Sequence, residues 1–370
     1  MKKLTVAIIG LEHVHAASMF AAFNKFPDKF EIIGCADVPP ILDDVVEDID
    51  TRLERNLRNG LENGITVYDD CNKLVDLKPD IAVVCCNMRS YPRMVEELLN
   101  KNINTVIEKP MAMTFEDGIR MYKAYKNSNA FFAINWPVAW FDSFAKVKEL
   151  VDNGVVGNVL RVQYRSPATF GPYHHSNESM SDEEIAKMSK SFWYNHSMGG
   201  GAALDYGGYG CTLATWLFGK QAERASGIRK NFFLDFSDVE DYVSYTLDFG
   251  TGVGLVEGSW STMNNGEIPT GPVVYGTKGV LVSDRYGDEI KLYDVFSHKS
   301  TSPTKVFVSE SWDKPTYSLG QNLYDHIVNG KPLYEMITPE FNIKAVAALD
   351  AGIRSSYSGK WEDTKKLEDF

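Results

Sequence analysis

A glycine turn carrying acidic and imidazole side chains follows the first apolar run of the chain. The run Leu4–Ile9 is followed by Gly10, Leu11, Glu12, His13, Val14 and His15, and a helix-like segment begins at Ala16. A dinucleotide-binding turn has the pattern G-x-G-x-x-G, of which only the first glycine is present. Phosphates would bind the backbone amides of residues 11–15 at the helix N-terminus, with an imidazole nearby. A strand-to-helix turn without a ligand has the same appearance.

Asp37 ends the second apolar run, Phe30–Ala36. In a βαβ unit, a carboxylate at this position accepts hydrogen bonds from an adenosine ribose. It would repel a 2′-phosphate, and no lysine or arginine follows before Arg52. We therefore expect NAD(H) to be preferred over NADP(H).

Glu108, Lys109 and Pro110 follow the apolar run Asn104–Ile107 at its carboxyl end. Ligands of open α/β sheets bind at that edge. The proline holds Lys109 in an extended or turn conformation that would present its ammonium to the cleft. A surface salt bridge at the strand end is the alternative interpretation.

Three consecutive glycines precede an acidic and a phenolic residue in the segment GGGAALDYGGY, residues 199–209. Asp205 and Tyr209 are four residues apart and therefore share a helix face. A carboxylate and a phenol on one face could hold and deprotonate a hydroxyl. Asp205 as a helix N-cap and Tyr209 as a core residue form the competing interpretation.

Histidines and aromatic residues complete the candidates. His13 and His15 have no apparent third ligand nearby, and the adjacent His174 and His175 seldom chelate one ion, so no metal is expected. The stretch 136–194 contains aromatic and cationic side chains suited to the faces and hydroxyls of a sugar, among them Trp136, Arg165, Tyr173 and Trp193. The loop 166–181 is long enough to be a binding loop.

These residues require two kinds of scaffold. Up to about residue 130, apolar runs alternate with helix-like stretches, which predicts a doubly wound parallel sheet. Residues 131–370 contain strand-like runs joined by short turns, which predicts an α+β domain with a large, open, predominantly antiparallel sheet. The fold class is thus α/β, with a Rossmann-like domain at 1–130. The uncovered sheet face predicts a homodimer or homotetramer.

Composition narrows the partners. The net charge of −12 argues against binding to nucleic acid or an anionic membrane. The longest apolar runs, such as Ile81–Cys86, are too short to span a membrane, and the first run is expected to be a strand rather than a signal peptide. The five cysteines lack CxxC spacing, which favours reduced thiols in a cytoplasmic protein.

Together these segments resemble the glucose–fructose oxidoreductase / inositol dehydrogenase family, Gfo/Idh/MocA. The resemblance covers nearly the whole chain, and the tyrosine at 209 is similar to that of the glucose–fructose oxidoreductase and dihydrodiol dehydrogenase branches. It differs at His15, which replaces the third glycine, and at Cys86-Asn87-Met88, which replaces Thr-Pro-Asn. The resemblance implies catalysis by Lys109 and Tyr209, with Asp205 contacting substrate. Implied NAD contacts are Gly10, Leu11, Glu12, His13, His15, Asp37, Cys86, Asn87, Glu108, Lys109 and Asn135.

The implied reaction is hydride transfer between the nicotinamide and a carbinol carbon of a sugar, polyol or related hydroxy compound. The expected substrate contacts are Lys109, Trp136, Arg165, Tyr173, Trp193, Asp205 and Tyr209. The ammonium of Lys109 is expected to lower the pKa of Tyr209. An NAD-dependent glycosidase and a non-catalytic dinucleotide sensor are the alternatives, although a sensor would need neither Lys109 nor Tyr209.

Overall fold

The computed structural model describes residues 3–38, 64–167, 181–262, 269–285, 287–296, 301–308 and 318–370. The sequence also predicts a helix over residues 41–59. This segment and most of the expected binding loop at 166–181 lie outside the described residues. So do Tyr173, His174 and His175.

A six-stranded parallel sheet forms the first part of the chain, in the order β3-β2-β1-β4-β5-β6. Its strands are β1 Leu4–Ile9, β2 Phe30–Ala36, β3 Val67–Tyr68, β4 Ile81–Val84, β5 Asn104–Glu108 and β6 Phe132–Asn135. β4 and β6 are buried along their whole length. Burial on both faces explains why these strands are continuous apolar runs without polar alternation. The expected doubly wound sheet is confirmed.

Four described helices accompany this sheet: α1 Ala16–Asn24, α2 Cys71–Val75, α3 Tyr91–Asn100 and α4 Phe115–Lys126. Thr114 caps α4 by accepting a hydrogen bond from the amide of Asp117, and the two residues have the sequence spacing of a capping box. The sheet extends beyond residue 130, because β6 pairs with β5 through Asn135. A boundary at 130 would separate this strand from the sheet that it completes.

The second sheet has nine strands, in the order β14-β13-β12-β11-β7-β10-β9-β8-β15. They are β7 Val159–Pro167, β8 Arg224–Lys230, β9 Tyr242–Asp248, β10 Val253–Ser259, β11 Val273–Gly276, β12 Val280–Val282, β13 Glu289–Tyr293, β14 Lys305–Val308 and β15 Glu362–Asp363. Every pairing is antiparallel except that of β7 with β10, which is parallel. The sheet is therefore mixed. β11 and β15 were not expected from the sequence.

Two helices, Gly208–Phe218 and Pro339–Ser358, pack on one face of the second sheet. The remaining described helices are α5 Asp142–Asp152, α6 Asp182–Met188, α7 Gly208–Phe218, α8 Leu319–Asn329 and α9 Pro339–Ser358. α7 packs directly on β10, and a Cβ at Gly210 would lie 2.2 Å from Val256 Cγ1. Only glycine permits this approach, which brings the start of α7 to the sheet.

The opposite face of the second sheet carries apolar side chains. Ile228 on β8 and Val306 on β14 are 54% and 40% exposed, and Leu255 on β10 is partly buried. Cross-strand register places them on the face that α7 does not cover. Such an apolar face is typical of an interaction surface.

Among the residues that the structure describes, no helix is both long and apolar enough to cross a lipid bilayer. All five cysteines are buried and form no disulfide. The cytoplasmic location expected from the sequence stays a prediction.

Candidate active site

Lys109 is the centre of the candidate site. It directly follows β5, and its side chain is only 1% exposed. Its Nζ donates a hydrogen bond to Asp205 Oδ1. Trp260, at the end of β10, donates from Nε1 to the other carboxylate oxygen of Asp205 at 3.1 Å. The two segments that sequence analysis selected separately therefore meet in a buried ion pair.

The charge of Lys109 depends on this pair. Burial by itself would lower the pKa of the ammonium, but the negative charge of Asp205 and the hydrogen bond that Lys109 donates to it raise that pKa above its ordinary value. Lys109 is therefore an ammonium at neutral pH. A buried ammonium of this kind can stabilise negative charge that develops on a substrate oxygen.

Tyr209 lies against two cations. Lys109 Nζ is 4.6 Å from the centroid of its ring, and Arg285 Cζ is 4.8 Å from the same centroid. Burial nevertheless raises the pKa of Tyr209, although both cations act to lower it. Lys109 acts to lower the pKa, as expected, but the pKa is raised on balance, because the phenol is only 2% exposed and loss of hydration outweighs the neighbouring charges. The phenol is protonated at neutral pH.

The glycine run positions Asp205. Residues Ala203–Gly207 form a π-helical turn that continues into α7. Glu240 approaches this turn closely, since its Oε1 accepts the amide hydrogen of Ala203 at 2.9 Å and would lie 2.3 Å from a Cβ at Gly201. Gly201 also has a φ of +107°, which side-chain-bearing residues rarely adopt. Glycine is therefore needed at 201 for two reasons, namely the backbone conformation there and the close approach of the Glu240 carboxylate.

Glu108 joins three elements at the carboxyl edge of the first sheet. Its Oε1 accepts from Asn135 Nδ2 at 2.7 Å, and its Oε2 lies 2.9 Å from His15 Nδ1. Trp140 in turn donates from Nε1 to Asn135 Oδ1 at 2.9 Å. His15, which replaces the third glycine of the nucleotide-binding pattern, thus contacts Glu108, the residue before Lys109.

The glycine turn has the backbone shape of a nucleotide-binding loop, but several of its groups bind within the chain. Gly10 has a φ of +79°, and a Cβ there would lie 2.5 Å from the amide nitrogen of Cys86. The amide of Leu11 donates to Asp37 Oδ1 at 3.0 Å, and that of His13 donates to the carbonyl of Cys85 at 3.0 Å. Not all amides of residues 11–15 point to a phosphate, contrary to expectation.

Glu12 is bound to the loop that follows β4. Its Oε2 accepts hydrogen bonds from the backbone and side-chain nitrogens of Asn87, at 2.8 and 3.0 Å. The carboxylate is therefore held within the chain. The features that fit a dinucleotide are the left-handed turn at Gly10, Asp37 at the end of β2 and the N-terminus of α1.

A third potential metal ligand lies beside the two histidines of the turn. Ligand atoms of His13, His15 and Glu108 all lie within 4.8 Å of one another. However, His13 Nδ1 accepts the amide hydrogen of His15 at 3.1 Å, which in a neutral imidazole places the ring proton on Nε2. Metal binding through Nε2 of His13 would require this hydrogen bond to break, and we do not assign a metal here.

The expected substrate residues divide into two groups. Trp136 packs edge-on against Tyr209, with ring centroids 5.3 Å apart, and the Trp193 ring lies 5.8 Å from Lys109 Nζ. Arg165 lies on the other face of the second sheet, where it pairs with Glu257 at 3.4 Å. Side chains alternate along β7, so Ser166 rather than Arg165 faces the site. Arg165 is therefore withdrawn from the expected substrate contacts.

Two residues of this site were missed from the sequence. Trp260 follows an alternating strand pattern that gave no reason to select its indole. Arg285 lies in the turn after β12 and has no distinctive sequence context. Their roles depend on the pairing of distant strands, which no local signal reveals.

Two family profiles match the chain. Residues 4–135 match the profile described as an oxidoreductase family with an NAD-binding Rossmann fold, and residues 144–282 match the GFO/IDH/MocA C-terminal domain.

Curated relatives include an uncharacterized oxidoreductase of Schizosaccharomyces pombe, 22% identical over 67% of this chain and 61% of its own length. The chain thus spans less than two thirds of that relative. The mouse glucose-fructose oxidoreductase domain-containing protein 1 is 26% identical over 82% of this chain and 81% of its own length.

Among solved structures, an oxidoreductase from Agrobacterium radiobacter in complex with NAD+, L-tartaric acid and magnesium aligns with a TM-score of 0.73. The alignment covers 98% of each chain at 16% identity. This likeness shows the fold.

The ion pair predicts a pH-dependent loss of stability in Asp205→Asn. The substitution leaves the Lys109 ammonium buried without a counter-charge, which should cost about 3–5 kcal/mol near neutral pH. Burial then lowers the pKa of Lys109 below its ordinary value. Between this lowered pKa and about pH 10.4, the unfolded variant binds more protons than the folded variant. The loss of unfolding free energy relative to the wild-type protein should therefore shrink as pH rises. Urea unfolding of the wild-type protein and of Asp205→Asn at several pH values measures this difference in unfolding free energy.

The wild-type protein should not show this trend. Its Lys109 pKa is raised, so the stability contributed by the pair is fully present below about pH 10.4 and is lost only above the folded pKa. The double variant Lys109→Met/Asp205→Asn removes both charges and should abolish the effect. A deficit that is equal at every pH, and unchanged in the double variant, would contradict the assignment.

Proposed function

The chain belongs to the Gfo/Idh/MocA family of NAD-binding oxidoreductases, and on that premise we propose a specific reaction. In this reaction a hydride is transferred between nicotinamide and the carbinol carbon of a sugar, polyol or related hydroxy compound. The observation that carries the proposal is the buried group of Lys109, Asp205 and Tyr209 at the carboxyl edge of the first sheet. Ligands of doubly wound sheets bind at this edge.

Each residue of the group has a distinct task. A bound nicotinamide supplies or accepts the hydride in this chemistry. The ammonium of Lys109 stabilises negative charge on the substrate oxygen. The phenol of Tyr209 is protonated at neutral pH, so it donates a proton to that oxygen during reduction and receives one during oxidation. Asp205 keeps Lys109 charged and in place.

The carbohydrate-like substrate is supported by the walls of the site. The rings of Trp136 and Trp193 lie beside Tyr209 and Lys109, and both indoles are buried. Trp136 is fixed by donating from Nε1 to Asn342 at 2.7 Å. Rigid aromatic faces next to polar groups suit the C–H faces and hydroxyls of a sugar. The mouse relative is named for a glucose-fructose oxidoreductase domain.

The role of the Tyr209 phenol is tested by removing its hydroxyl. Tyr209→Phe removes only the hydroxyl and should lower kcat by about 10²–10⁴-fold, the usual contribution of a positioned acid or base. NADH affinity should barely change, because the phenol does not anchor the cofactor. Steady-state kinetics at the nicotinamide absorbance, with NADH titration by fluorescence, measure both quantities.

Tyr206→Phe is the matched control, since it removes the same hydroxyl from a neighbouring tyrosine whose ring lies 6.2 Å from the Tyr209 ring. It should retain most of the wild-type kcat. Lys109→Met should be at least as damaging as Tyr209→Phe. A Tyr209→Phe enzyme with wild-type turnover across the pH range would contradict the proposed role.

Cofactor preference follows from Asp37. We propose that NADH binds more tightly than NADPH, since the carboxylate at the end of β2 repels a 2′-phosphate. Asp37→Asn keeps an oxygen for the amide of Leu11 and removes the charge. It should reduce the NADH:NADPH affinity ratio about tenfold, equivalent to about 1.4 kcal/mol. Tighter binding of NADPH by the wild-type protein would overturn the assignment.

Self-association follows from the open face of the second sheet. We propose a homodimer or homotetramer in which the apolar side chains of this face are covered by another copy. Light scattering at micromolar concentration should give a multiple of the 41.5 kDa chain mass. Leu255→Glu should shift the mass toward the monomer, whereas Leu77→Glu, an exposed leucine outside this sheet, should not. A monomeric wild-type protein would refute the proposal.

A further inference from the structure

Glu240 binds the backbone that leads to Asp205 through two hydrogen bonds. It lies two residues before β9, and its side chain is 6% exposed. Its carbonyl oxygen accepts the amide hydrogen of Ala202 at 3.0 Å, and its Oε1 accepts that of Ala203 at 2.9 Å. Ala203 begins the π-helical turn that contains Asp205. The first amides of a helical turn lack acceptors within the turn, and Glu240 supplies them for two consecutive residues.

Asp241, the next residue, binds the other partner of the Asp205 carboxylate. Its carbonyl oxygen accepts the amide hydrogen of Trp260 at 2.6 Å, and the Trp260 indole donates to Asp205. Two consecutive residues therefore fix Asp205 from two directions. Glu240 holds the turn that carries the carboxylate, and Asp241 holds the indole that binds its second oxygen. The alignment of this carboxylate with Lys109 depends on both contacts.

The glycine run connects the same backbone to an aromatic side of the site. The amide of Gly201 donates to the carbonyl of Trp193 at 3.0 Å, and the carbonyl of Gly201 accepts the amide hydrogen of Asp205 at 3.2 Å. Glu240 Oε1 would lie 2.3 Å from a Cβ at Gly201. A displacement of the Glu240 carboxylate would therefore alter the backbone on which both Trp193 and Asp205 depend.

The charge of Glu240 has partners of its own. Arg229 Nη1, on β8, lies 3.7 Å from Glu240 Oε2 and donates to the hydroxyl of Tyr357 at 2.6 Å. That hydroxyl lies 2.9 Å from His196 Nε2. Burial raises the pKa of Glu240, whereas its backbone hydrogen bonds, Arg229 and His196 act to lower it. The contact with Arg229 needs a charge, but the hydrogen bond from Ala203 needs only an oxygen at the right distance, so substitution can separate the two.

From these contacts we propose that Glu240 is a positioning residue, whose hydrogen bond from Ala203 keeps Asp205 aligned with Lys109. It acts through the π-helical turn and not on the substrate. The kinetic part of this inference rests on the proposed function, whereas the alignment itself can be measured without turnover.

A double-mutant cycle tests the alignment. Glu240→Asp keeps the charge and shortens the side chain by one methylene, whereas Glu240→Gln keeps the length and an acceptor oxygen but removes the charge. Urea unfolding near neutral pH measures how far Asp205→Asn shifts the unfolding midpoint in each background. In Glu240→Asp this shift should be about half its wild-type size or less, because the ion pair is already misaligned. In Glu240→Gln it should keep its wild-type size.

The pH profile of turnover distinguishes positioning from a general loss of structure. Glu240→Asp should lower kcat about 10- to 100-fold, the effect of a small misplacement of a reacting group. Its alkaline decline should move to lower pH, because burial lowers the pKa of a Lys109 ammonium with a weakened counter-charge. Asp205, Tyr209 and Glu108 are the titratable groups that act on this ammonium. A smaller folded fraction would lower the rate without moving the profile.

Glu223→Asp is the matched control. Glu223 Oε1 would lie 2.2 Å from a Cβ at Gly250, so this glutamate also approaches a glycine with a positive φ, but in the turn between β9 and β10. It should leave kcat, the pH profile and the cycle unchanged.

The outcomes separate this inference from the proposed function. A full-sized midpoint shift in Glu240→Asp with an unmoved pH profile, or equal effects of Glu240→Asp and Glu240→Gln, would overturn the positioning role. A reduced shift in Glu240→Asp alone, in a protein that turns over no hydroxy compound with NAD(H), would support the positioning of Asp205 and contradict the proposed reaction.

Discussion

The buried ion pair between Lys109 and Asp205 is the interaction on which the rest of the site depends. An ammonium with almost no contact to water needs a counter-charge, and here that charge comes from the other half of the chain. The pair therefore joins the end of β5 to the turn that begins α7. Trp260 occupies the second oxygen of Asp205 and connects it to the end of β10. One carboxylate thus aligns two sheets around one lysine.

Other acidic side chains of the first domain have a similar structural use. Glu108 binds His15 and Asn135, Glu12 binds Asn87, and Asp37 binds the amide of Leu11. These contacts tie together the loops that follow neighbouring parallel strands. An acidic residue in the glycine turn is compatible with a nearby anion because its charge is directed to another loop. His15, which stands where the pattern has a glycine, likewise connects the glycine turn to Glu108, the residue before Lys109.

The two faces of the second sheet differ in what they pack against. Its covered face packs against α7 and carries Ser166 and Val256, so that glycine at position 210 allows the helix to approach. Its other face carries Arg165 and a set of apolar side chains that a second copy could cover. The alternation of side chains along β7 separates Arg165 from the site by a single residue. Adjacent residues of β7 therefore face opposite sides of the sheet.

The sequence by itself determined the two kinds of sheet and the segments that supply Lys109, Asp205 and Tyr209. Buried parallel strands and turn-linked strands have different hydrophobic patterns, and β1 and β2 were predicted with the bounds that the structure gives. The position of Lys109 at the carboxyl end of a predicted parallel strand also indicated a ligand-binding edge. Tertiary structure alone decided the contacts of Trp260 and Arg285, the inward position of Glu12 and the raised pKa of Tyr209. These depend on the register and burial of elements far apart in the chain, and local patterns carry no information about either.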